Sequence, residues 1–571
     1  MSVREQYENW LRNADEATVK ELLAIEDNET EIDDRFHQTL EFGTAGLRGV
    51  MAAGTNRMNK YVVGQATRAL AQVILESNRQ DEGVAIAYDC RINSESFAKH
   101  CASIFAGHGI KVYIFDDLRP TPELSFAIRH LKTVAGVNVT ASHNPKEYNG
   151  YKVYWDKGSQ ILDDIALKVQ EYIGQIDLFD ESKMIDFEEG VRSGIISIIN
   201  KQVDIPYTKE VLNLSINDDN VKKDIKIVYT PFNGTGIKFI PAILKDRGFK
   251  NVEIVKEQMT PDGNFPTTPY PNPENTENFE YAIRYAKKSD ADLIMASDPD
   301  ADRIAIVVKD NHNNYVPLSG NQTGVLLINY ILSQRKQLHL SKTNDVIIKT
   351  IVTGDMSVPI ANDYGVKTLN TLTGFKYICG LANEFDETNQ YNYVFGFEES
   401  IGYCPETFAR DKDAVSSAML IAEMCGFYMA KGKTLYQVMY ELYEKYGYYK
   451  ESQFSIFYRG MEGARIKEGV MQAYRENYPK VIGDMTLTEK TDYEKDDTGL
   501  PKSDVLKYTF DDGSWYAIRP SGTEPKLKTY LYSVGKTEKE SDDKLKLLES
   551  EIKNHLENIE RVVVNDQDTH R

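Results

Sequence analysis

The sequence predicts an α/β protein with three similar α/β sheet domains and a C-terminal α+β domain around a central cleft. Three observations predict it. Short apolar runs that read as strands alternate with helical stretches over most of the chain, which favours mixed or parallel sheets covered by helices. An order of strand, turn, helix, strand, helix, strand and polar loop recurs three times, although the residues hardly repeat. Beyond about residue 449 the pattern changes. At 571 residues the chain is also too long for one hydrophobic core.

The first copy has a strand over residues 84–89, a helix over 97–106, a strand over 111–115 and an apolar run over 134–139 that opens into a polar loop. The second has residues 225–230, a glycine-rich turn at 233–236, a helix to 247, a strand at 251–255, a helix near 281–288, and residues 292–296 leading to an acidic loop. The third runs from 345–349 through a helix to 366–370, a helix near 376–385, and 393–395 into a Glu-rich loop. Strand-like 453–457, 515–518 and 528–533, with a long charged helix after them, make the fourth unit. The expected domains are therefore 1–205, 206–320, 321–449 and 450–571. Residues 260–273 hold repeated prolines and must be irregular, because proline cannot donate to a helix or a ladder.

A formal net charge of -20 with 27% charged and 41% hydrophobic residues is an ordinary globular composition. It argues against nucleic acid or an anionic membrane as a partner, since either would be repelled over much of the surface. A small anionic ligand would need a local cluster of Arg and Lys. The N-terminal residues run into a charged, helical segment without an apolar core, so neither a signal peptide nor a membrane span is expected, and the expected location is cytoplasmic. The five cysteines are odd in number and form no CxxC pair, which speaks against a disulfide framework or a zinc site.

Each repeat's last loop carries chemistry. Residues 140–154 place Ser142, His143 and Lys152 in one polar segment, with Asn144-Pro145 and Asn149-Gly150 as turn signals. A hydroxyl nucleophile, an imidazole and a lysine at a sheet end are the parts of an α/β active site. Asp298, Asp300 and Asp302 stand two residues apart between two apolar runs, with Arg303 behind them. Three carboxylates on a strand-to-strand turn call for a cation. Hard oxygen ligands suit Mg²⁺ or Ca²⁺, and the EF-hand pattern fails because Arg303 occupies the place of its glycine, so Mg²⁺ is the better expectation. Residues 519–526 offer Arg519, Ser521, Gly522 and Thr523 as a guanidinium, two hydroxyls and successive backbone N–H groups, the donors a phosphate needs. Glu398 and Ser400 supply groups of the kind that bind sugar hydroxyls. Residues 42–49 are glycine-rich and carry one cation, Arg48; on their own they read equally well as a linker.

With these five loops in this order, the chain resembles the α-D-phosphohexomutase superfamily over nearly its whole length. Thr-Ala-Ser-His-Asn-Pro from Thr140 and Asp-Pro-Asp-Ala-Asp-Arg from Asp298 are its most specific motifs. Gly-Thr-Ala-Gly-Leu-Arg-Gly from Gly43 and Gly-Phe-Glu-Glu-Ser-Ile-Gly-Tyr from Gly396 look like the branch that contains bacterial α-phosphoglucomutases and related animal phosphopentomutases. The resemblance implies a mobile fourth domain and a phosphoserine at Ser142. It implies one Mg²⁺ held by that phosphate with Asp298, Asp300 and Asp302. Arg48, His143, Lys152 and Arg303 are then expected among the catalytic residues, and Thr44, Lys376, Glu398, Ser400, Arg519, Ser521, Gly522 and Thr523 at the substrate.

The implied reaction moves a phosphoryl group between the 1- and 6-positions of glucose. Phosphoserine 142 would donate to a sugar monophosphate, giving glucose 1,6-bisphosphate, which serves as primer and intermediate and would turn end for end before returning its other phosphate. His143 or Lys152 would handle the proton of the sugar hydroxyl. Many hexomutases have Gly-Glu-Met-Ser-Gly-His in the sugar loop, whereas here Ser400 is followed by Ile401-Gly402. A phosphopentomutase acting on ribose or deoxyribose 1-phosphate would keep the phosphate and metal residues and differ around 398–403. A silent phosphosugar sensor should have lost Ser142, His143 or one of the loop aspartates, and all are present.

Overall fold

The computed structural model describes the chain except residues 44–45, 459, 522–525 and 570–571, and except the side chains of residues 460–462 and 565–569. Its strands lie in four sheets among the described residues. The first sheet holds β1 (Gly46–Val50), β2 (Val84–Tyr88), β3 (Val112–Phe115), β4 (Ala135–Val139), β5 (Tyr148–Trp155) and β6 (Ile196–Ile199), in the order β1-β5-β4-β2-β3-β6. β2 pairs in parallel with β3 and β4, and β3 with β6, while β5 runs antiparallel to both β4 and β1. Every residue of β2 and β4 is buried, as expected of central strands in a sheet covered on both faces. Val63 and Leu70 of the helix Lys60–Glu76 and Phe105 of the helix Ser94–Gly107 share one core with Ile86, Val137 and Val153.

The turn expected at Asn149-Gly150 is absent, and both residues are part of β5. An Asn-Gly hairpin turn needs positive φ at both residues, and neither has it. Asn149 Nδ2 instead donates to Ile92 O and Ser94 Oγ, both at 3.0 Å. A Cβ on Gly150 would stand 2.4 Å from Thr140 O, so glycine is what allows β5 to pass this close to the Ser142 segment. Lys152 therefore projects from a rigid strand. Residues 46–50, in the glycine-rich stretch that could have been a linker, form β1.

The second sheet holds β7 (Lys226–Thr230), β8 (Asn251–Ile254), β9 (Leu293–Ser297), β10 (Ile304–Lys309) and β11 (Tyr315–Leu318), in the order β11-β10-β9-β7-β8. β7 is parallel to β8 and β9, and β9, β10 and β11 are antiparallel neighbours. The acidic loop is thus the turn from β9 to β10, as its flanking apolar runs predict. The third sheet holds β12 (Asp345–Thr350), β13 (Lys367–Thr371), β14 (Asn392–Glu398) and β15 (Gly402–Cys404), with Glu398 opposite Gly402 in the last pair.

The fourth sheet is antiparallel throughout. It holds β16 (Tyr448–Phe457), β17 (Val481–Ile482), β18 (Met485–Asp492), β19 (Leu506–Phe510), β20 (Trp515–Pro520) and β21 (Lys526–Gly535), in the order β16-β21-β20-β19-β18-β17. The helices Gly460–Glu476 and Glu538–Thr569 contribute Val470, Tyr474, Leu548 and Ile552 to its core.

The chain divides into two compact units, Met1–Ile348 with Gly374–Tyr436, and Lys349–Thr373 with Gln437–Arg571. Among the described residues no helix is long and apolar enough to cross a membrane. The described cysteines are free thiols, four of them buried.

Candidate active site

β4 ends at Val139, and the chain turns sharply before β5. Ser142 sits in that turn at φ +50°, a left-handed conformation that costs a residue with a Cβ about 1–2 kcal/mol. Local bonds hold it there. Thr140 Oγ1 accepts from Ser142 N at 2.9 Å and donates to Asp89 Oδ2 at 2.6 Å. Ser142 Oγ donates to Asp298 Oδ2 at 2.7 Å and lies 3.2 Å from His143 Nδ1. Burial and the neighbouring Arg303 and Arg48 guanidinium groups push the His143 imidazole well below its usual pKa, so the ring is neutral near pH 7. Arg48 reaches the turn from β1, donating from Nη1 to Asn144 Oδ1 at 3.0 Å.

The β9–β10 turn brings its three carboxylates together: oxygens of Asp298, Asp300 and Asp302 lie within 4.8 Å of one another, and all three residues are buried. Ala301 at φ +51° reverses the chain, and Asp298 Oδ1 accepts from the backbone N–H groups of Asp302 and Arg303 at 3.1 and 3.0 Å. Asp300 Oδ2 accepts from Lys152 Nζ and Thr121 Oγ1, each at 2.7 Å. Asp302 Oδ2 lies 3.1 Å from Lys152 Nζ and 3.3 Å from Lys412 Nζ. Burial together with Asp300 and Asp302 raises the pKa of Asp298 well above the carboxylate range. Burial opposes the charges of Lys152 and Asp302 as well, but there the opposite charges win: Asp300 and Asp302 hold Lys152 above the usual lysine value, and Lys152, Lys412 and Arg303 hold Asp302 below the usual aspartate value.

The fit to a cation follows from what these contacts leave over. Asp300 Oδ1 and Asp302 Oδ1 are buried with no hydrogen-bond partner among the described residues, Asp302 Oδ1 having only Arg303 Nε at 3.7 Å, and a buried charged oxygen without a hydrogen bond is costly. With Asp298 they form a hard all-oxygen donor set beside a hydroxyl, which suits Mg²⁺.

Glu398 closes β14 with Oε1 accepting from Gly374 N at 2.9 Å; burial raises its pKa although Lys412 and Arg303 pull it down. Ser400 is partly buried in the turn from β14 to β15. Lys376 is engaged with Asp163 Oδ1 at 2.7 Å, and its ammonium lies 4.8 Å from the Tyr377 ring centroid. In the second unit, Arg519 lies on β20 opposite Lys528, and Ser521 N donates to Lys526 O at 2.8 Å. Thr44, Gly522 and Thr523 lie outside the described residues.

The chain matches four family models, the phosphoglucomutase/phosphomannomutase alpha/beta/alpha domain I over residues 39–179, domain II over 205–311, domain III over 319–446 and the C-terminal domain over 475–555. A phosphoglucomutase of Staphylococcus aureus is 36% identical over 538 residues, which cover 92% of this chain and 95% of that one. The chain belongs to this family. It is a phosphohexomutase of the α-D-phosphohexomutase superfamily. A phosphoglucomutase of Staphylococcus haemolyticus is 35% identical with the same coverage. The crystal structure of a phosphoglucomutase/phosphomannomutase family protein from Burkholderia thailandensis has the same fold, with a TM-score of 0.67 at 19% identity over 91% of this chain and 97% of that one.

Within this phosphohexomutase the structure brings Ser142, His143, Lys152, Arg48 and Arg303 together with the three aspartates, and adds residues that stand outside the sequence motifs. Asp89 and Arg91 follow β2 directly, and Thr121 begins the helix Thr121–Leu131. Lys412 was visible only as part of an Arg-Asp-Lys-Asp run at 410–413 that resembles a solvated turn; it is buried, and a Cβ on Gly402 would collide with its Cδ.

Proposed function

We propose that the protein is a phosphoglucomutase that interconverts α-D-glucose 1-phosphate and glucose 6-phosphate through a phosphoserine at Ser142 and a glucose 1,6-bisphosphate intermediate. The observation that carries the reading is the 2.7 Å hydrogen bond from Ser142 Oγ to Asp298 inside a cluster of three buried carboxylates. The identity of its relatives supports glucose as the sugar.

Asp298, Asp300, Asp302 and the Ser142 phosphate would hold one Mg²⁺, which when bound neutralises charge on the phosphoryl group. Phosphoryl transfer requires mainly positioning and charge stabilisation from a protein. The Ser142 turn presents Oγ in a fixed direction. Lys152 and Arg303 supply fixed positive charge. Between the two candidate bases the electrostatics favour His143: its ring is in the neutral form that a base requires, whereas Lys152 is held as an ammonium by two carboxylates. Glu398 and Ser400 are proposed to accept from sugar hydroxyls. Arg519 with residues 521–523 is proposed to bind the phosphate that is not being transferred, where remote binding energy can be used to exclude water from the phosphoserine.

The test is a set of parallel initial rates on glucose 1-phosphate, mannose 1-phosphate and ribose 1-phosphate, each with Mg²⁺ and a trace of the matching bisphosphate. A clear preference for glucose 1-phosphate is expected. A preference for ribose 1-phosphate would keep the chemistry and make the protein a phosphopentomutase.

A further inference from the structure

Behind the Ser142 turn lies one buried cation that the reaction scheme does not use. Arg91 Nη2 donates to Ser142 O at 2.7 Å and to Asn144 O, while Nη1 donates to Pro145 O at 2.8 Å and Tyr148 O at 2.9 Å. Its Nε lies 3.3 Å from Asp89 Oδ2, and both side chains are fully buried. A single planar group thus ties together four carbonyls along the turn, the nucleophile's own among them. Asp89 also accepts from Thr140 Oγ1, which in turn accepts from Ser142 N, so both peptide groups of Ser142 are fixed from the same ion pair.

The proline-rich segment covers the remaining face of this guanidinium. Phe265 is fully buried at φ +45°, and its ring centroid lies 5.1 Å from Arg91 Cζ, within cation–π range. A Cβ on Gly263 would stand 2.6 Å from Ile92 N and 2.7 Å from Cys90 O, so only glycine lets the segment lie this close. Farther along, Pro269 O accepts from Lys146 N at 3.2 Å. The irregular stretch expected from its prolines is therefore a strap, anchored on the residues around Arg91 and on the far side of the nucleophile turn.

We propose that Arg91 is a positioning residue for phosphoryl transfer, aiming Ser142 through its backbone, and that the strap around Phe265 holds Arg91 in place. The inference rests on the phosphoserine reading. Ser142 has a strained backbone, and its Oγ must point at both the acidic cluster and the substrate. Misplacing a reacting group by about 1 Å can cost about a hundredfold in rate. A lysine could keep the charge of Arg91, but its three donors on one nitrogen cannot span four carbonyls in a plane.

The full-length protein and its Arg91→Lys and Phe265→Leu variants would be compared by melting temperature, by kcat and KM for glucose 1-phosphate, and by the fraction of Ser142 phosphorylated after exposure to glucose 1,6-bisphosphate. The expected result is a kcat reduced about a hundredfold in Arg91→Lys and about tenfold in Phe265→Leu. KM should stay within about twofold, since the substrate-binding groups are untouched. Unchanged kcat in both variants would overturn the proposal, as would losses that merely follow the folded fraction or unfolding of both proteins. If only Arg91→Lys fails to fold, the kcat of Phe265→Leu decides. A wild-type protein that neither turns over nor accepts phosphate on Ser142 would instead refute the functional reading itself.

Discussion

Two arginines, in two parts of the molecule, sit in opposite surroundings. Arg91 directs both Nη groups at backbone carbonyls, lies in an ion pair with Asp89, and is sealed from solvent. Arg519, on β20 of the C-terminal sheet, is only partly buried, and neither arginine's Nε has a hydrogen-bond partner among the described residues. A cation whose Nη bonds all go to backbone carbonyls fixes structure. A guanidinium that keeps access to solvent suits a ligand such as phosphate, which can accept two parallel N–H bonds. The same residue type thus ties down backbone at Arg91, whereas at Arg519 its proposed role is recognition.

The strongest way to break this comparison is to remove what Arg91 aims. Ser142→Ala should lower kcat at least about a thousandfold, as expected when a member of a unit that acts together is lost, and should abolish the phosphoprotein mass shift. Full activity would end the mechanism. Next in size, Asp300→Asn should raise the Mg²⁺ concentration for half-maximal activity by more than the roughly ten- to hundredfold typical of losing an outer-shell partner. An unchanged Mg²⁺ titration would return the acidic turn to a structural role.

Arg519→Ala sharpens the contrast. Loss of one charge-assisted phosphate contact is expected to cost about 1.5–3 kcal/mol, seen as weaker monophosphate binding, while phosphorylation of Ser142 by the bisphosphate suffers less. An equal loss in both assays would place Arg519 with the reacting groups.

The smallest effect concerns stability away from both arginines. Burial, with the nearby charges of Arg68 and Lys60, pushes His100 down to about 4. Between pH 6.5 and 4 the unfolded chain binds a proton that the folded protein refuses, so this histidine lowers stability as the pH falls through that window. The melting temperature of His100→Gln should accordingly drop less than that of the wild type between pH 6.5 and 5; identical slopes would show that the burial of His100 is not the cause.

Much of this architecture could be read from apolar runs. β2, β4, β7, β9 and β12 are buried along nearly their whole length, and such strands announce themselves by composition alone. β5 did not. Its Asn149-Gly150 carries a turn signal locally, and only the tertiary bonds of Asn149 and the close approach at Gly150 make it a strand. In the candidate site, Ser142 and the three aspartates stand in compact motifs and were legible. Arg91 and Lys412 were not, because a charged residue beside a strand or in an acidic run looks solvated until the fold buries it. The proline-rich segment was legible as irregular, but its role depends on Phe265 meeting Arg91 across 174 positions of sequence, which no local pattern encodes.

The most direct test of the central claim is to load the protein with glucose 1,6-bisphosphate, locate the phosphate by peptide mass mapping, and chase it with glucose 1-phosphate. The account predicts phosphate on Ser142 alone, lost on the chase as bisphosphate appears. Phosphate on another residue, or phosphate on Ser142 that survives the chase, would contradict it.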